Sequence, residues 1–191
     1  MALKQVTAPA NEPLGLDDVK TYLRVDGDDE DTFITSLITA ARTYCETFQN
    51  RAYLTQTFDL TLDHFPRFPL SLPRPPLQSV ESFTYIDKDA VSTLWDVSNY
   101  IVDMDSEPGR IGLAYGIFPP RVTLQPMSGV KIRFTAGYGD VDAVPAVVKQ
   151  AMTMLIGHWY EHREAVLTGT ASKEIEFAVT ALLSPDRVIP L

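Results

Sequence analysis

The stretch DTFITSLITAARTYCETFQNRAYLTQTFDLTL, residues 31–62, contains the change of hydrophobic period that decides the fold. Over residues 33–48 apolar side chains recur every three or four positions, which is typical of an amphipathic helix, and this helix is expected to end near Asn50. From about residue 52 the period becomes two, and residues 58–62 alternate apolar and polar side chains as a half-buried strand does. The sequence therefore predicts a helix that leads directly into β structure.

Downstream of this stretch the chain continues as β structure. Residues 65–76 contain five of the chain's 14 prolines, which exclude a helix or an interior strand and predict an extended edge segment or loop. Short apolar runs separated by turn residues predict further strands at 80–86, 92–95, 99–103, 110–113 and 130–136.

The helical period returns on both sides of this β region. Upstream, residues 16–25 predict a short helix, followed by an acidic break at 25–31. Downstream, the pattern predicts a helix from Pro145 to Arg163 and a last short helix at 174–183. The helices at 32–50 and 145–163 are expected to form a central pair, packed through Ile34, Leu37, Ala41, Tyr44, Val148, Ala151, Leu155 and Trp159.

These elements predict an α+β fold. The architecture is a small bundle of about four helices, with an antiparallel β-sheet or sandwich inserted between the second and third. The helical core is expected at 14–50 and 144–184, the β insertion at 52–136 and a C-terminal tail at 184–191, all within a single domain spanning residues 1–191.

Composition limits the classes of function. The chain has 191 residues and a net charge of -9, which opposes tight binding to a phosphate backbone. Its only cysteine, Cys45, lies on the apolar face of a predicted helix, so we expect a buried thiol. Because a single cysteine cannot form an internal disulfide, the sequence also fits a reducing compartment. No secretory signal or membrane span is visible, which predicts an intracellular protein that does not enter a membrane.

One motif raises the possibility of catalysis. His158, Glu161 and His162 form H-x-x-E-H, the inverted zinc-protease signature, and histidines four residues apart can share a helix face. A third ligand would have to come from Glu174 or Glu176. Because a five-residue pattern with two free positions often arises by chance, we interpret it as a solvated helix end. No phosphate-binding loop, dinucleotide fingerprint or nucleophile elbow is present, so we expect no catalytic, cofactor or metal site.

Four segments, taken in order, resemble the phage head–tail connector (adaptor) family. Residues 16–25, LDDVKTYLRV, are similar to its L-x-x-x-K-x-x-L-R helix, and residues 134–151 to its T-A-G-Y-G … V-P-x-x-(K/R)-x-A junction. YEHREA at 160–165 resembles Y-E-N-R-E-A, with His162 in place of asparagine. LLSPDR at 182–187 resembles L-L-S-P-Y-R, with Asp186 in place of tyrosine. The β insertion matches the longer branch of the family, which also occurs in prophages and gene transfer agents.

The resemblance implies a structural virion protein rather than an enzyme. Such adaptors form a ring, here expected to be dodecameric, beneath the portal protein. They extend the DNA channel and receive a head-closure, stopper or tail protein. Genomic DNA would pass through without sequence-specific binding. The protein would be in the host cytoplasm during assembly and then at the head–tail junction of the virion. A DNA-packaging-associated binding protein and a zinc hydrolase using His158, Glu161 and His162 remain the alternatives.

Two apolar segments are predicted to contact partners. The tail holds aliphatic residues outside any helix, interrupted by prolines, and would expose them with no core to receive them. It is expected either to dock on the portal or to fold back on its own helices. The proline-rich segment likewise presents apolar side chains. The residues expected to bind partners are Arg187, Val188, Ile189, Leu191, Phe68, Leu70 and Leu72.

Overall fold

Helices and strands segregate into two compact units in the computed structural model, which describes residues 1–163 and 171–189. The helical unit comprises residues 10–54 and 139–191, and the β unit comprises residues 1–9 and 55–138. The predicted α+β class is confirmed, since the described residues form four α-helices and antiparallel sheets. None of the helices in the described ranges is both long and apolar enough to cross a membrane.

The helical unit contains α1 (Leu16–Leu23), α2 (Asp31–Gln49), α3 (Ala146–Glu161) and α4 (Ala171–Leu183). Helices α2 and α3 pack against each other and α4 packs on α3. Five of the eight side chains predicted for the central pair are at most 3% exposed: Ile34, Ala41, Val148, Ala151 and Leu155.

The other three side chains predicted for the central pair lie at its border. Leu37 and Trp159 are half-buried. Tyr44 is 41% exposed and contacts the Trp159 ring edge-on, with the ring centroids 6.1 Å apart. The buried face of α2 is therefore narrower than its periodicity indicated, and the side chain of Tyr44 reaches the surface of the helical unit.

Cys45 is fully buried on the inner face of α2. Burial raises the pKa of its thiol to about 12, and the nearby Glu46 carboxylate acts in the same direction. The thiol is therefore protonated and unreactive at neutral pH, which agrees with the expected role as a small buried hydrophobe.

The β unit contains two antiparallel sheets. The strands are β1 (Ala2–Thr7), β2 (Gln56–Leu62), β3 (Leu70–Ser71), β4 (Leu77–Ile86), β5 (Ser92–Leu94), β6 (Tyr100–Asp103), β7 (Arg110–Leu113) and β8 (Val130–Ala136). The larger sheet has the order β1-β2-β8-β4-β5 and the smaller one β3-β7-β6. The strand predicted from this alternation is observed as β2, in which Phe58 and Leu60 are buried and Phe58 stacks on Phe134 of β8. The alternation of burial is incomplete, because Asp59 between them is only 6% exposed.

One edge of each sheet is formed by a segment with a weak sequence signal for a strand. β1, for which the sequence pattern predicted no element, lies at one edge of the larger sheet, and all six of its residues are exposed. The proline-rich segment contributes only the two-residue β3, at the edge of the smaller sheet. This placement confirms the prediction of an edge segment, because proline cannot donate a ladder hydrogen bond.

Candidate assembly surface

The C-terminal tail is held against the end of α2 within the helical unit. The Val188 amide donates to the Gln49 carbonyl over 2.9 Å, and the Asn50 side-chain amide donates to the Val188 carbonyl over 2.8 Å. Arg51 Nε donates to the Asp186 carbonyl over 2.6 Å. Successive residues at the end of one helix therefore bind the backbone of the tail.

The local sequence explains why this helix end can hold a second chain segment. Asn50 has a φ of 55°, the left-handed conformation that ends many helices and that asparagine tolerates better than most residues. Gln49 is 1% exposed, and its amide donates to the Leu183 carbonyl at the end of α4. Because buried amides need partners, these side chains favour the bound position of the tail. We call residues 49–51, which bind the backbone of the tail, the tail clamp.

The tail residues expected to contact partners differ in how they lie on the tail clamp. Val188 is half-buried and bound through its backbone, whereas the side chain of Ile189 is 76% exposed. The Arg187 guanidinium lies 4.8 Å from the centroid of the Phe48 ring, a cation–π distance. Leu191 lies outside the described residues. The tail thus folds back on its own unit and still presents Ile189 outward.

The expected contact residues of the proline-rich segment lie in the β unit. Phe68 is half-buried, with its ring centroid 6.0 Å from that of Trp95. Leu70 is half-buried on β3, where it pairs with Ile111. Leu72 is 1% exposed and belongs to the core, so its side chain is not on the surface of the unit. The structure brings these three residues together and places them in a different unit from the tail.

The end of α3 is attached to the start of α2 by charged and aromatic contacts. The Tyr160 hydroxyl and the Arg163 guanidinium both donate to the carboxylate of Glu30, and the Arg163 guanidinium also lies 4.9 Å from the Phe33 ring centroid. The hydrogen bond from Tyr160, then that from Arg163, lowers the pKa of Glu30 below its ordinary value. Two residues of the YEHREA segment therefore have a structural role.

The histidines of the H-x-x-E-H motif lie at the end of α3, where His158 is half-buried and His162 is exposed. The centroids of their rings are 4.6 Å apart. His162 is the C-cap residue of α3, and its Nδ1 lies 3.0 Å from the His158 carbonyl oxygen. Glu161 is exposed. Within residues 1–163 and 171–189, no three His, Cys, Asp or Glu side chains are grouped so that they could hold a metal ion. The side chains of Glu174 and Glu176, the possible third ligands, are outside this description.

The acidic break before α2 is joined to α1 by one lysine. Lys20 Nζ lies 2.7 Å from Asp31 and 2.9 Å from Asp28, and these two hydrogen bonds raise the pKa of Lys20. At least these two carboxylates have a local structural partner.

Net charge is distributed unevenly between the two units. The sequence of the helical unit contains 16 Asp and Glu against 8 Lys and Arg, whereas the β unit contains 9 against 8. Nearly all of the net charge of -9 therefore belongs to the helical unit.

Sequence reasoning did not predict the clamp residues Gln49, Asn50 and Arg51. Their signal is a run of three polar side chains with N–H donors at a helix end, directly before the buried segment Ala52–Leu54. Such a run indicates a site that binds backbone carbonyls, but it does not identify the segment that supplies them.

Solved structures with a similar fold come from gene transfer agent particles. A chain in the neck of an empty gene transfer agent (GTA) particle, computed with C6 symmetry, matches with a TM-score of 0.80 and 26% identity. A chain in the neck of a native GTA particle, computed with C12 symmetry, matches with a TM-score of 0.79 and 25% identity. Each match covers 100% of this chain and 97% of the other. Curated protein sequences give no significant match.

The family assignment comes from the sequence. The model of the head completion protein family matches residues 14–184, which include all four helices and the β unit from β2 onward. Because this match spans most of the chain and the fold agrees with that of chains from GTA particles, the protein belongs to the head completion protein family.

Proposed function

We propose that this protein is a head–tail connector, a non-enzymatic structural component of a phage, prophage or GTA particle. The observation that supports this most strongly is the end-to-end agreement of its fold with chains from GTA necks, at TM-scores of 0.79 and 0.80. Such a protein would be located in the virion at the head–tail junction, after assembly in the host cytoplasm. The family match runs through both units, which supports their acting as one connector domain.

In this proposal the protein forms a ring, dodecameric in the assembled neck, below the portal protein. The C12 and C6 symmetries used for the related necks support a cyclic arrangement. The ring extends the DNA channel and receives the head-closure, stopper or tail protein. A net charge of -9 disfavours adhesion of DNA to the wall of such a channel, so DNA would pass without sequence-specific binding.

Two separate partner surfaces are proposed, the exposed part of the tail in the helical unit and the proline-rich segment in the β unit. Ile189, which is 76% exposed, and Arg187 at the tail clamp would contact the portal, together with Val188 and Leu191. Phe68 and Leu70 of the β unit would contact a second protein of the neck. Leu72 supports that surface from the core rather than touching the partner, because its side chain is buried.

Deleting the gene in the producing strain tests the proposed function. A connector is needed after DNA packaging, so the expected products are DNA-filled heads without tails, and supplying the intact gene in trans should restore tailed particles. Empty heads would instead indicate a role in packaging, which is the alternative of a packaging-associated binding protein. Normal numbers of tailed, infectious or DNA-transferring particles would contradict the proposal.

A further inference from the structure

The outer face of α2 has an unusual composition for a surface helix. Charged side chains normally occupy the solvent side of an amphipathic helix. In α2, Arg42 and Glu46 are only 8% and 7% exposed, and both take part in a buried ion pair of 2.9 Å. The remaining charged residue, Asp31, is the first of the helix. Between residues 32 and 49 the exposed side chains of this helix are therefore uncharged.

A groove of about 740 Å³ runs along this face. Its floor is formed by small exposed residues at spacings of four, three and four: Ser36, Ala40, Thr43 and Thr47. Tyr44 and Trp159 form a wall. Small residues at this spacing let a second helix approach closely, because its side chains fit between successive turns. We call this surface the α2 groove.

The second uncharged surface is on the C-terminal half of α4, from residue 177 onward, since the sequence of its first half contains Lys173, Glu174 and Glu176. Val179 and Leu183 are buried at 1% and 0%, whereas Phe177 on the other side is 75% exposed. Ala181, four residues later, is also exposed and shares the face of Phe177. The chain from residue 177 to residue 185 contains no charged residue. An exposed phenylalanine on an uncharged stretch of helix is typical of protein interfaces, where aromatic residues are enriched.

The charge of the helical unit determines which faces can meet. With 16 acidic and 8 basic residues in this unit, two copies carry net charge of the same sign, so their charged faces repel each other. The α2 groove and the outer face of α4 from residue 177 onward avoid this repulsion because the sequence places no charged residue at either surface. Depletion of charged side chains is also characteristic of the centre of protein interfaces.

From these observations we infer that the α2 groove binds the outer face of α4 from a second copy of this chain, with Phe177 inserted beside Tyr44 and Trp159. The groove and the α4 face are different surfaces, so each protomer offers both. Such a heterologous contact closes into a ring when the rotation between neighbours is suitable. The inference rests on the proposed ring and names the surfaces that would form it.

Engineered cysteine pairs in assembled particles test the contact. Four double variants combine Ala40→Cys or Thr43→Cys with Phe177→Cys or Ala181→Cys, all at exposed positions, while the native Cys45 is buried. After oxidation, at least one pair should give a ladder of covalent oligomers on a non-reducing gel. The matched control pairs Phe177→Cys with Thr21→Cys, an exposed position on α1 outside the groove, and should remain monomeric.

The other outcomes separate this inference from the proposed function. In one outcome, electron micrographs show a ring of the protein in particles while none of the four cysteine pairs gives a ladder of covalent oligomers. That result would overturn the inferred contact and leave the proposed ring standing. Covalent dimers of the single variant Thr43→Cys would indicate that the grooves of two copies face each other, which would also overturn the inference. Particles with no ring of this protein would overturn the proposed function itself.

Discussion

Asp59 on β2 is a carboxylate of the β unit that is only 6% exposed and forms ion pairs with the neighbouring strand. Arg133 and Lys131 are residues of the neighbouring strand β8. Arg133 Nε lies 2.7 Å from one carboxylate oxygen of Asp59, and Lys131 Nζ lies 2.7 Å from the other. The hydrogen bond from Arg133, followed by that from Lys131, lowers the pKa of Asp59 to about 2. A carboxylate with a folded-state pKa below its ordinary value stabilises the fold at neutral pH.

Replacement of this carboxylate gives a pH-dependent prediction. Because the folded pKa is about 2 and the ordinary value is near 4, the stabilisation is present above about pH 4 and is lost as the pH falls towards 2. Asp59→Asn should therefore lower the free energy of unfolding by ~1–3 kcal/mol at pH 7, with a much smaller difference near pH 2.5. Urea titrations at the two pH values measure this, and an equal difference at both would contradict the assignment.

The two histidines of α3 give a second prediction at this scale. His162 caps the helix and His158 lies one turn before it, so neither position requires a metal. The double variant His158→Ala, His162→Gln should leave both metal content and incorporation into particles unchanged. Elemental analysis of protein purified without added zinc provides the measurement. Stoichiometric zinc in the wild type that disappears in the variant would instead support the hydrolase alternative.

At the scale of elements, the α2–α3 pair is expected to determine the stability of the helical unit. Leu155 is 3% exposed, so Leu155→Ala should leave a cavity and cost ~2–5 kcal/mol in the free energy of unfolding. Val147 on the same helix is 47% exposed, and Val147→Ala serves as the matched control with an effect near zero. Equal losses in the two variants, measured by chemical denaturation, would place Leu155 outside the core.

The tail clamp gives a prediction that separates stability from attachment. Deleting residues 184–191 removes backbone partners of Gln49, Asn50 and Arg51, each net hydrogen bond being worth ~0.5–1.5 kcal/mol, so the Tm should fall by several degrees. Ile189→Asp changes only an exposed side chain and should leave the Tm unchanged while reducing attachment to portal-bearing heads. Full attachment of the Ile189→Asp protein would exclude that side chain from the partner surface.

Periodicity predicted those elements that bury one face. β2, β8 and the central helices have apolar side chains at the spacing of their buried faces, and their predicted positions agree with the structure to within a few residues. β1 is exposed along its whole length, so ALKQVT contains no alternation that a pattern could detect. Tyr44 was predicted to be in the core because an aromatic ring at the border of a stripe has the same sequence signal as one at its centre.

The candidate site was less predictable than the fold for a related reason. The apolar composition of the tail indicated that it needs a surface, but it did not distinguish a partner from the chain's own helices. That choice depends on Gln49, Asn50 and Arg51, which are about 135 residues away in the sequence from the carbonyls they bind. Likewise, the neutrality of the α2 groove depends on Arg42 and Glu46 being turned inward.

At the scale of the whole molecule, two units with very different charge are joined in one chain. The helical unit, with its excess of acidic residues, contains the tail clamp and the α2 groove, whereas the nearly neutral β unit contains the proline-rich segment. This division is consistent with a connector in which one unit builds the ring and repels DNA while the other offers a neutral surface to a neighbouring protein. The related chains from GTA necks share the fold along its entire length.

Electron cryo-microscopy of the head–tail junction in particles from the producing strain tests the connector function most directly. The map should contain a ring of 12 copies directly below the portal, with a fold that fits both units, around a channel wide enough for duplex DNA. Particles from a strain without the gene should lack this ring and the tail. A complete neck in wild-type particles with no density that fits this chain would contradict the connector function.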